Sequence, residues 1–174
     1  EYSEQSSKGD RAKWRQTEIQ TMRDIGVYRY VPYSDYKNNP DGILIDTTWV
    51  DDEAKAKSRL CGREFNSGGV MDDIFAGTPP LLATKLLISE CASQFPQDRS
   101  SRLLVMDVKR AFLHAPMTKE VYIELPAEAK AEGEEDYIGR LVKAMYGTRD
   151  AAQNWERAYC QFMADTGFET GKAT

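Results

Sequence analysis

Histidine is almost missing from this chain: His114 is the single one. A site built from several histidines is excluded, and a Ser-His-Asp triad would have to use that residue. Cysteine is scarce too. Cys61, Cys91 and Cys160 are far apart, odd in number and in no metal-like spacing, so free thiols in a reducing, intracellular compartment are the expectation. No Walker or Rossmann glycine-rich loop is present, since Gly68-Gly69 lacks the flanking pattern. No apolar stretch approaches the roughly 20 residues that a membrane span needs, so no membrane partner is expected. Glu1-Tyr2-Ser3-Glu4 has neither the basic region nor the apolar core of a secretory signal. Positive charge is also short: 23 Lys and Arg face 28 Asp and Glu, for a net −5. Taken alone, that argues against nucleic-acid binding. The acid excess is concentrated, however. Pro126 to Asp136 holds Glu128, Glu132, Glu134, Glu135 and Asp136 against Lys130 alone. That run reads as a solvated loop, and a near-neutral remainder can still carry a cationic face.

What is present is ordinary globular material. The 174 residues are 41% hydrophobic and 29% charged, enough for one domain, or one domain and part of another, around a real core. Residues 1–12 are polar and read as a frayed tail. Lys13 to Ile25 spaces Ile19, Met22 and Ile25 along one helical side, with Gly26 as the stop. Val27 to Val31 reads as a strand ended by Pro32, and Tyr33 to Gly42 as turns. Ile43 to Val50 and Lys57 to Phe65 read as two strands joined by a charged turn. After a loop over Asn66 to Gly77, Thr78 and Pro79 have the chemistry of an N-cap and first helical position. That helix runs to about Gln94 with an apolar stripe of Leu87, Ile88, Cys91, Ala92 and Phe95. Leu103 to Met106 suits a buried strand and Val121 to Leu125 an alternating one. Tyr137 to Met145 is mixed and strand-like. Ala151 to Thr166 is the clearest helix, its Trp155, Ala158, Tyr159, Phe162 and Met163 stripe reading as core, with Gly167 closing it.

Three places offer chemistry. Asp107, at the end of the Leu103–Met106 run, would hold a carboxylate rigidly with its tip open, as a magnesium ligand requires. The same residue would serve equally as a turn-former or helix cap. Lys55, Lys57, Arg59 and Arg63 alternate onto one strand face with Cys61 among them. Such a face grips phosphates, Arg by a bidentate fork, or is simply a solvated face that discourages edge pairing. Tyr146-Gly147-Thr148-Arg149 puts a glycine before a helix, which permits close approach of another backbone or a ligand, or is a plain turn.

These segments, in this order, resemble the N-terminal part of a copia-type retrotransposon reverse transcriptase. Asp107-Val108-Lys109-Arg110-Ala111-Phe112-Leu113-His114 is similar to that family's Asp-Val-Lys-Thr-Ala-Phe-Leu-His block. Val121-Tyr122-Ile123-Glu124-Leu125-Pro126 is similar to its Val-Tyr-Met-x-x-Pro, Lys57-Ser58-Arg59-Leu60 to its Lys-Ala-Arg-Leu, and Asp73-Ile74-Phe75-Ala76 to its Glu-Thr-Phe-Ala. Lys143-Ala144-Met145-Tyr146-Gly147 with Trp155 resembles its Lys-Ser-Leu-Tyr-Gly-Leu-Lys-Gln-Ala-Pro-Arg-x-Trp. The likeness runs from about Trp14 to the C-terminus.

The resemblance implies an α+β fold: fingers plus a partial, truncated palm, an antiparallel sheet with packed helices, fingers over 13–100 and palm over 101–174. It implies that Asp107 is the first catalytic aspartate, binding Mg2+ with the Val108 carbonyl as a further metal ligand. Arg59, with Lys57, would bind the triphosphate of the incoming dNTP. Phe112 would be the steric gate against a ribose 2′-hydroxyl, and Ala111 and Gly147 would line the nucleotide pocket. The reaction would be two-metal nucleotidyl transfer on an RNA or DNA template-primer, the ions about 3.5–4 Å apart. Further partners would be the remaining palm and ribonuclease H of a polyprotein. The family's Tyr-x-Asp-Asp hairpin should follow the Tyr-Gly block, and Thr174 comes first, so residues 1–174 alone are expected to be inactive.

Departures from the pattern are Arg110 for Thr, Asp150 for Gln, Ala152 for Pro, and Arg63-Glu64-Phe65 for Arg-Gly-Phe. Trp49-Val50-Asp51-Asp52 and Val70-Met71-Asp72-Asp73 mimic a hydrophobic-x-Asp-Asp motif, but both precede Asp107 and fit turns by chemistry alone. Two rival readings are a decayed or co-opted remnant that only binds nucleic acid, and an unrelated α+β interaction domain with a structural Asp107.

Overall fold

The computed structural model describes residues 2–64, 81–94, 103–130, 133 and 135–169, with the side chains of 2–9 and 94 left aside. The chain divides into two compact units, Glu1–Ile74 with Arg110–Thr174, and Phe75–Lys109.

In the first unit, α1 spans Tyr2–Ile25, so the segment expected to fray is helical from residue 2 onward. Residues 2–12 include Ser3, Ser6, Ser7, Gly9 and Asp10, which favour caps and turns over helix interiors, so local propensity set that expectation; the helix is anchored by the packed face of its second half. Ile19 and Met22 are fully buried. Gly26 ends the helix at φ 72, where the Val27 amide donates back to the Met22 carbonyl at 2.9 Å, a left-handed cap that favours glycine.

A four-stranded sheet has the order β1 (Tyr28–Pro32), β6 (Tyr137–Leu141), β5 (Val121–Ile123), β2 (Ile43–Ile45). β1 with β6 and β5 with β6 are antiparallel, but β2 runs parallel to β5. The sheet is therefore mixed, not antiparallel as expected: a long crossover separates β2 from β5, and such connections permit parallel pairing. All three β5 residues are buried, so the expected alternation is lost because both faces are covered: Val121 and Ile123 join the core, while Tyr122 packs against Tyr36 and takes a bond from Asn39. A five-residue helix, α2 (Tyr33–Lys37), occupies part of the segment read as turns.

The expected strand over Ile43–Val50 is broken at Asp46. β3 (Thr47–Asp52) leaves the larger sheet and pairs antiparallel with β4 (Lys57–Gly62). Asp46 belongs to neither strand and pairs with Arg63 at 3.1 Å. The hairpin closes through a 3-10 turn over Glu53–Lys55, capped by the Asp52 side chain accepting from the Lys55 amide. Helix α1 packs on this hairpin through Arg15, which reaches Asp51 at 2.8 Å and Glu128 at 2.9 Å and stacks over Trp49 at 5.3 Å. The core gathers Ile19, Met22, Val27, Leu60, Leu113, Ile123 and Met145. Helix α4 (Ala151–Asp165) starts on Ala115, Ala144 and Ala151, with Trp155 and Ala158 against them. Its stripe is core only in that first half, since Phe162 is 62% exposed.

The second unit contains α3 (Leu81–Gln94). The Thr78–Pro79 cap, Phe95, the Asp72–Asp73 pair and the Asp73–Ala76 block lie outside the described residues. Leu87 and Ile88 of the expected stripe are exposed. Leu103–Met106 is not a strand: these four are 45%, 60%, 84% and 50% exposed. An apolar run becomes a buried strand only when neighbouring strands take up its backbone hydrogen bonds, and none of the six described strands does.

Candidate nucleotide and metal site

The sequence of β4 alternates as expected. Ser58 and Leu60 are buried, and Lys57 and Arg59 are exposed on the opposite face. Lys55 leaves that face: it sits in the 3-10 turn and pairs with Asp52 at 3.3 Å. Arg63 extends past the strand and is held by Asp46.

Three segments meet at Tyr146. The guanidinium of Arg59 lies over its ring at 5.9 Å to the centroid, within range of a cation–π attraction. The Phe112 ring packs edge-on at 5.8 Å between centroids. Phe112 is carried by a 3-10 turn, Ala111–His114, anchored by the fully buried Leu113. Gly147, next along the chain, has φ 82, and a Cβ built there would collide with the Gly62 carbonyl. The Gly62 amide donates to the Tyr146 carbonyl at 2.7 Å. The close approach read from the glycine is thus an approach of backbone to backbone, joining the Tyr-Gly block to the end of β4. Glu64 adds to it by accepting from the Arg149 amide at 2.8 Å. Ala111, Phe112 and Tyr146 are half-buried, and Gly147 is exposed.

Under this cluster lies Glu18 of α1, whose side chain is 4% exposed and accepts from Arg110 at 3.0 Å. Burial pushes the Tyr146 phenol above its ordinary pKa, Glu18 adds to the rise, and Arg59 and Arg110 oppose it. Burial likewise raises the Cys61 thiol, against the opposing charge of Arg59. Glu18 was missed in the sequence, although a signal was there: Glu18, Met22 and Ile25 fall on one side at spacings of four and three.

The Asp150 departure and the Asp51–Asp52 mimic find local explanations. Asp150 is buried, with Lys119 at 3.5 Å and the Thr118 hydroxyl at 3.3 Å. Asp51 accepts from Arg15 and, at 2.7 Å, from the Ser58 hydroxyl; Arg15 foremost holds its carboxyl below the ordinary range. With Asp52 capping a turn, the Asp51–Asp52 pair is structural.

Asp107 and Val108 belong to the second unit, whereas Lys57, Arg59, Ala111, Phe112 and Gly147 belong to the first. The Asp107 side chain is exposed. Its carboxylate and the Val108 carbonyl are hard oxygen donors of the kind magnesium prefers. Among the described residues no group of three or more His, Cys, Asp or Glu could hold a metal. No helix among the described residues is long and apolar enough to cross a membrane.

Comparison with known proteins agrees with the blocks quoted above. Residues 35–174 match the family model described as reverse transcriptase (RNA-dependent DNA polymerase). The chain is 26% identical over 156 residues to the retrovirus-related Pol polyprotein from transposon TNT 1-94 of Nicotiana tabacum, covering 87% of this chain and 11% of that protein. It is 29% identical over 132 residues to the Pol polyprotein from transposon RE2 of Arabidopsis thaliana, covering 76% of this chain and 8% of that protein. No solved structure gives a significant match. With four-fifths of its length inside the family model, and with its likeness to copia-type transposon Pol polyproteins, the chain belongs to the reverse transcriptase (RNA-dependent DNA polymerase) family.

Proposed function

We propose that the chain supplies the nucleotide-binding surface and the first catalytic carboxylate of an RNA-directed DNA polymerase, with fingers over 13–100 and a partial palm over 101–174. The observation that carries this is the meeting of Arg59 and Phe112 on the Tyr146 ring. A cation for phosphates and an aromatic wall for a sugar are there built on one rigid support. Arg59, with Lys57 beside it, takes the triphosphate. Phe112 closes the space a 2′-hydroxyl would need, and Ala111 and Gly147 flank it. Asp107 and the Val108 carbonyl hold Mg2+. Bound magnesium supplies activation of the primer 3′-hydroxyl and neutralisation of the leaving pyrophosphate. The chain's own cations offset charge developing on the transferred phosphoryl group. Template-primer and the remainder of a Pol polyprotein are the partners.

The test is an exchange. Residues 35–174 replace the aligned segment of an active transposon reverse transcriptase, and RNA-templated primer extension is measured. Synthesis by the exchanged enzyme, abolished by Asp107→Asn, is expected. Synthesis that survives Asp107→Asn overturns the assignment. Residues 1–174 alone should not extend a primer, because one carboxylate does not hold two magnesium ions.

A further inference from the structure

Helix α1 lies outside the stretch 35–174 that matches the family model, and the nucleotide-site reading gives it no part. It nevertheless grips the hairpin that carries Arg59. β3 and β4 form a sheet of two strands. Two strands alone are marginal in water, so what holds this hairpin at each end decides where its side chains stand. The end at Gly62 is tied to the Tyr146 carbonyl at 2.7 Å. The turn end is held by α1. Arg15 donates to both Asp51 oxygens, from Nη2 at 2.8 Å and from Nε at 3.3 Å. Asp51 in turn accepts from the Ser58 hydroxyl across the strands at 2.7 Å. Asp51 and Ser58 are register partners, as are Val50 and Arg59. Ser58 is buried, and Arg59, next in the chain, is on the exposed face. Arg11 adds a bond to Glu53 in the turn at 3.2 Å. Arg15 is itself fixed from a third side. Its Nη1 meets Glu128 at 2.9 Å, and its guanidinium lies over Trp49, whose indole N–H donates to the same Glu128 at 3.3 Å. The Arg15, Asp51 and Glu128 side chains are all half-buried, and a forked, charge-assisted arrangement at that depth fixes geometry better than an exposed pair does. Arg59 therefore stands between two anchors, Gly62 on Tyr146 and Asp51 with Ser58 on Arg15.

We infer that Arg15 is a positioning residue for Arg59: through Asp51 and Ser58 it holds the strand that aims Arg59 at the triphosphate of a nucleotide. Arg15 itself touches no ligand. The inference rests on the nucleotide-site reading above and adds to it a residue from a helix outside the family match.

The test is equilibrium binding of inorganic tripolyphosphate and dGTP to the 174-residue chain, arranged as a double-mutant cycle. Arg59→Gln should weaken both ligands by about tenfold, the worth of one charge-assisted hydrogen bond. Arg15→Met, which leaves the Arg59 side chain in place, should weaken both by about fivefold, within the range of couplings through a shared network. In an Arg59→Gln background the added Arg15→Met should change binding by less than about twofold, because the group it aims is gone. Ser58→Ala cuts the link beyond Asp51 and keeps the ion pair. It should weaken binding with the same dependence on Arg59, and it serves if Arg15→Met does not fold. Gly167→Ala is the stability control. Gly167 closes α4 at φ 92 with nothing within 4 Å of a Cβ built there, so the strain falls outside the hairpin and binding should stay within about twofold of wild type. Three results overturn the inference. If Arg59→Gln weakens binding and neither Arg15→Met nor Ser58→Ala does, Arg15 is structural and the nucleotide site stands. If Arg15→Met weakens binding equally with and without Arg59, or Gly167→Ala weakens it as much, the effect does not pass through Arg59. If wild-type chain binds neither ligand, or Arg59→Gln costs nothing, this inference and the nucleotide-site reading fall together.

Discussion

Replacing Gly147 with alanine tests the architecture under the site. Two costs combine at that residue. Its φ of 82 places an L side chain in the left-handed region, at a penalty of about 1–2 kcal/mol. The new Cβ would also meet the Gly62 carbonyl and the adjoining backbone. Backbone held in a strand cannot swing aside as a side-chain tip can, so overpacking adds about 1–3 kcal/mol. Gly26 provides the control. It has φ 72, yet nothing lies within 4 Å of a Cβ built there. Gly26→Ala therefore bears only the conformational penalty, about 1–2 kcal/mol. Urea denaturation followed by tryptophan fluorescence is a suitable assay, because Trp14, Trp49 and Trp155 all belong to the unit concerned. Gly147→Ala should lower stability by about 2–5 kcal/mol, the sum of both penalties. It should also weaken dGTP binding, since the Tyr146 carbonyl is tied to the Gly62 amide. Equal destabilisation by the two variants would refute the backbone-contact argument.

Arg15→Met should destabilise by about 1–2 kcal/mol at neutral pH, less than a fully buried pair would because the side chains are partly solvated. Arg15 lowers the Asp51 pKa from its reference of 3.8. The resulting stability is fully present above that value and is lost as pH falls through the lower folded-state value. The gap between the denaturation midpoints of wild type and Arg15→Met should therefore narrow as pH falls below 3.8, leaving the part due to stacking of Arg15 on Trp49, and a gap of unchanged size in strong acid would contradict the linkage. Asp107→Asn should leave the urea midpoint within about 0.5 kcal/mol of wild type, as for other exposed positions. A larger shift would mean that Asp107 is structural. In the exchanged polymerase, Phe112→Ala should raise incorporation of ribonucleotides relative to deoxyribonucleotides by at least about tenfold, measured by primer extension. An unchanged ratio would remove Phe112 as the gate.

Much of this was legible in the residues. The stop at Gly26, the β4 alternation and the α4 boundaries follow from local chemistry: left-handed glycine, period-two burial and a small-residue helix start. The failures are tertiary. A composition rule placed residues 1–12 in a frayed tail, but the helix continues through them. The periodicity of Ile43–Val50 is continuous, and only the pairing of Asp46 with Arg63 outside both sheets shows where the strand breaks. Leu103–Met106 has the composition of a core strand, but burial depends on partners that no single segment encodes. At the site, Lys57, Arg59, Phe112 and Gly147 were visible as motif positions. The role of Tyr146 as the common support of Arg59 and Phe112 was not, because these two neighbours lie 87 and 34 positions upstream of it. Glu18 was hidden for the same reason: its partner Arg110 is 92 positions away.

Amide chemical-shift mapping of the 174-residue chain during a dGTP titration with magnesium tests the central claim most directly. The account predicts that the largest shifts gather on Arg59, Ala111, Phe112, Tyr146 and Gly147, with Asp107 and Val108 joining only when magnesium is added. Shifts confined to other surfaces, or a magnesium response that spares Asp107, would contradict it.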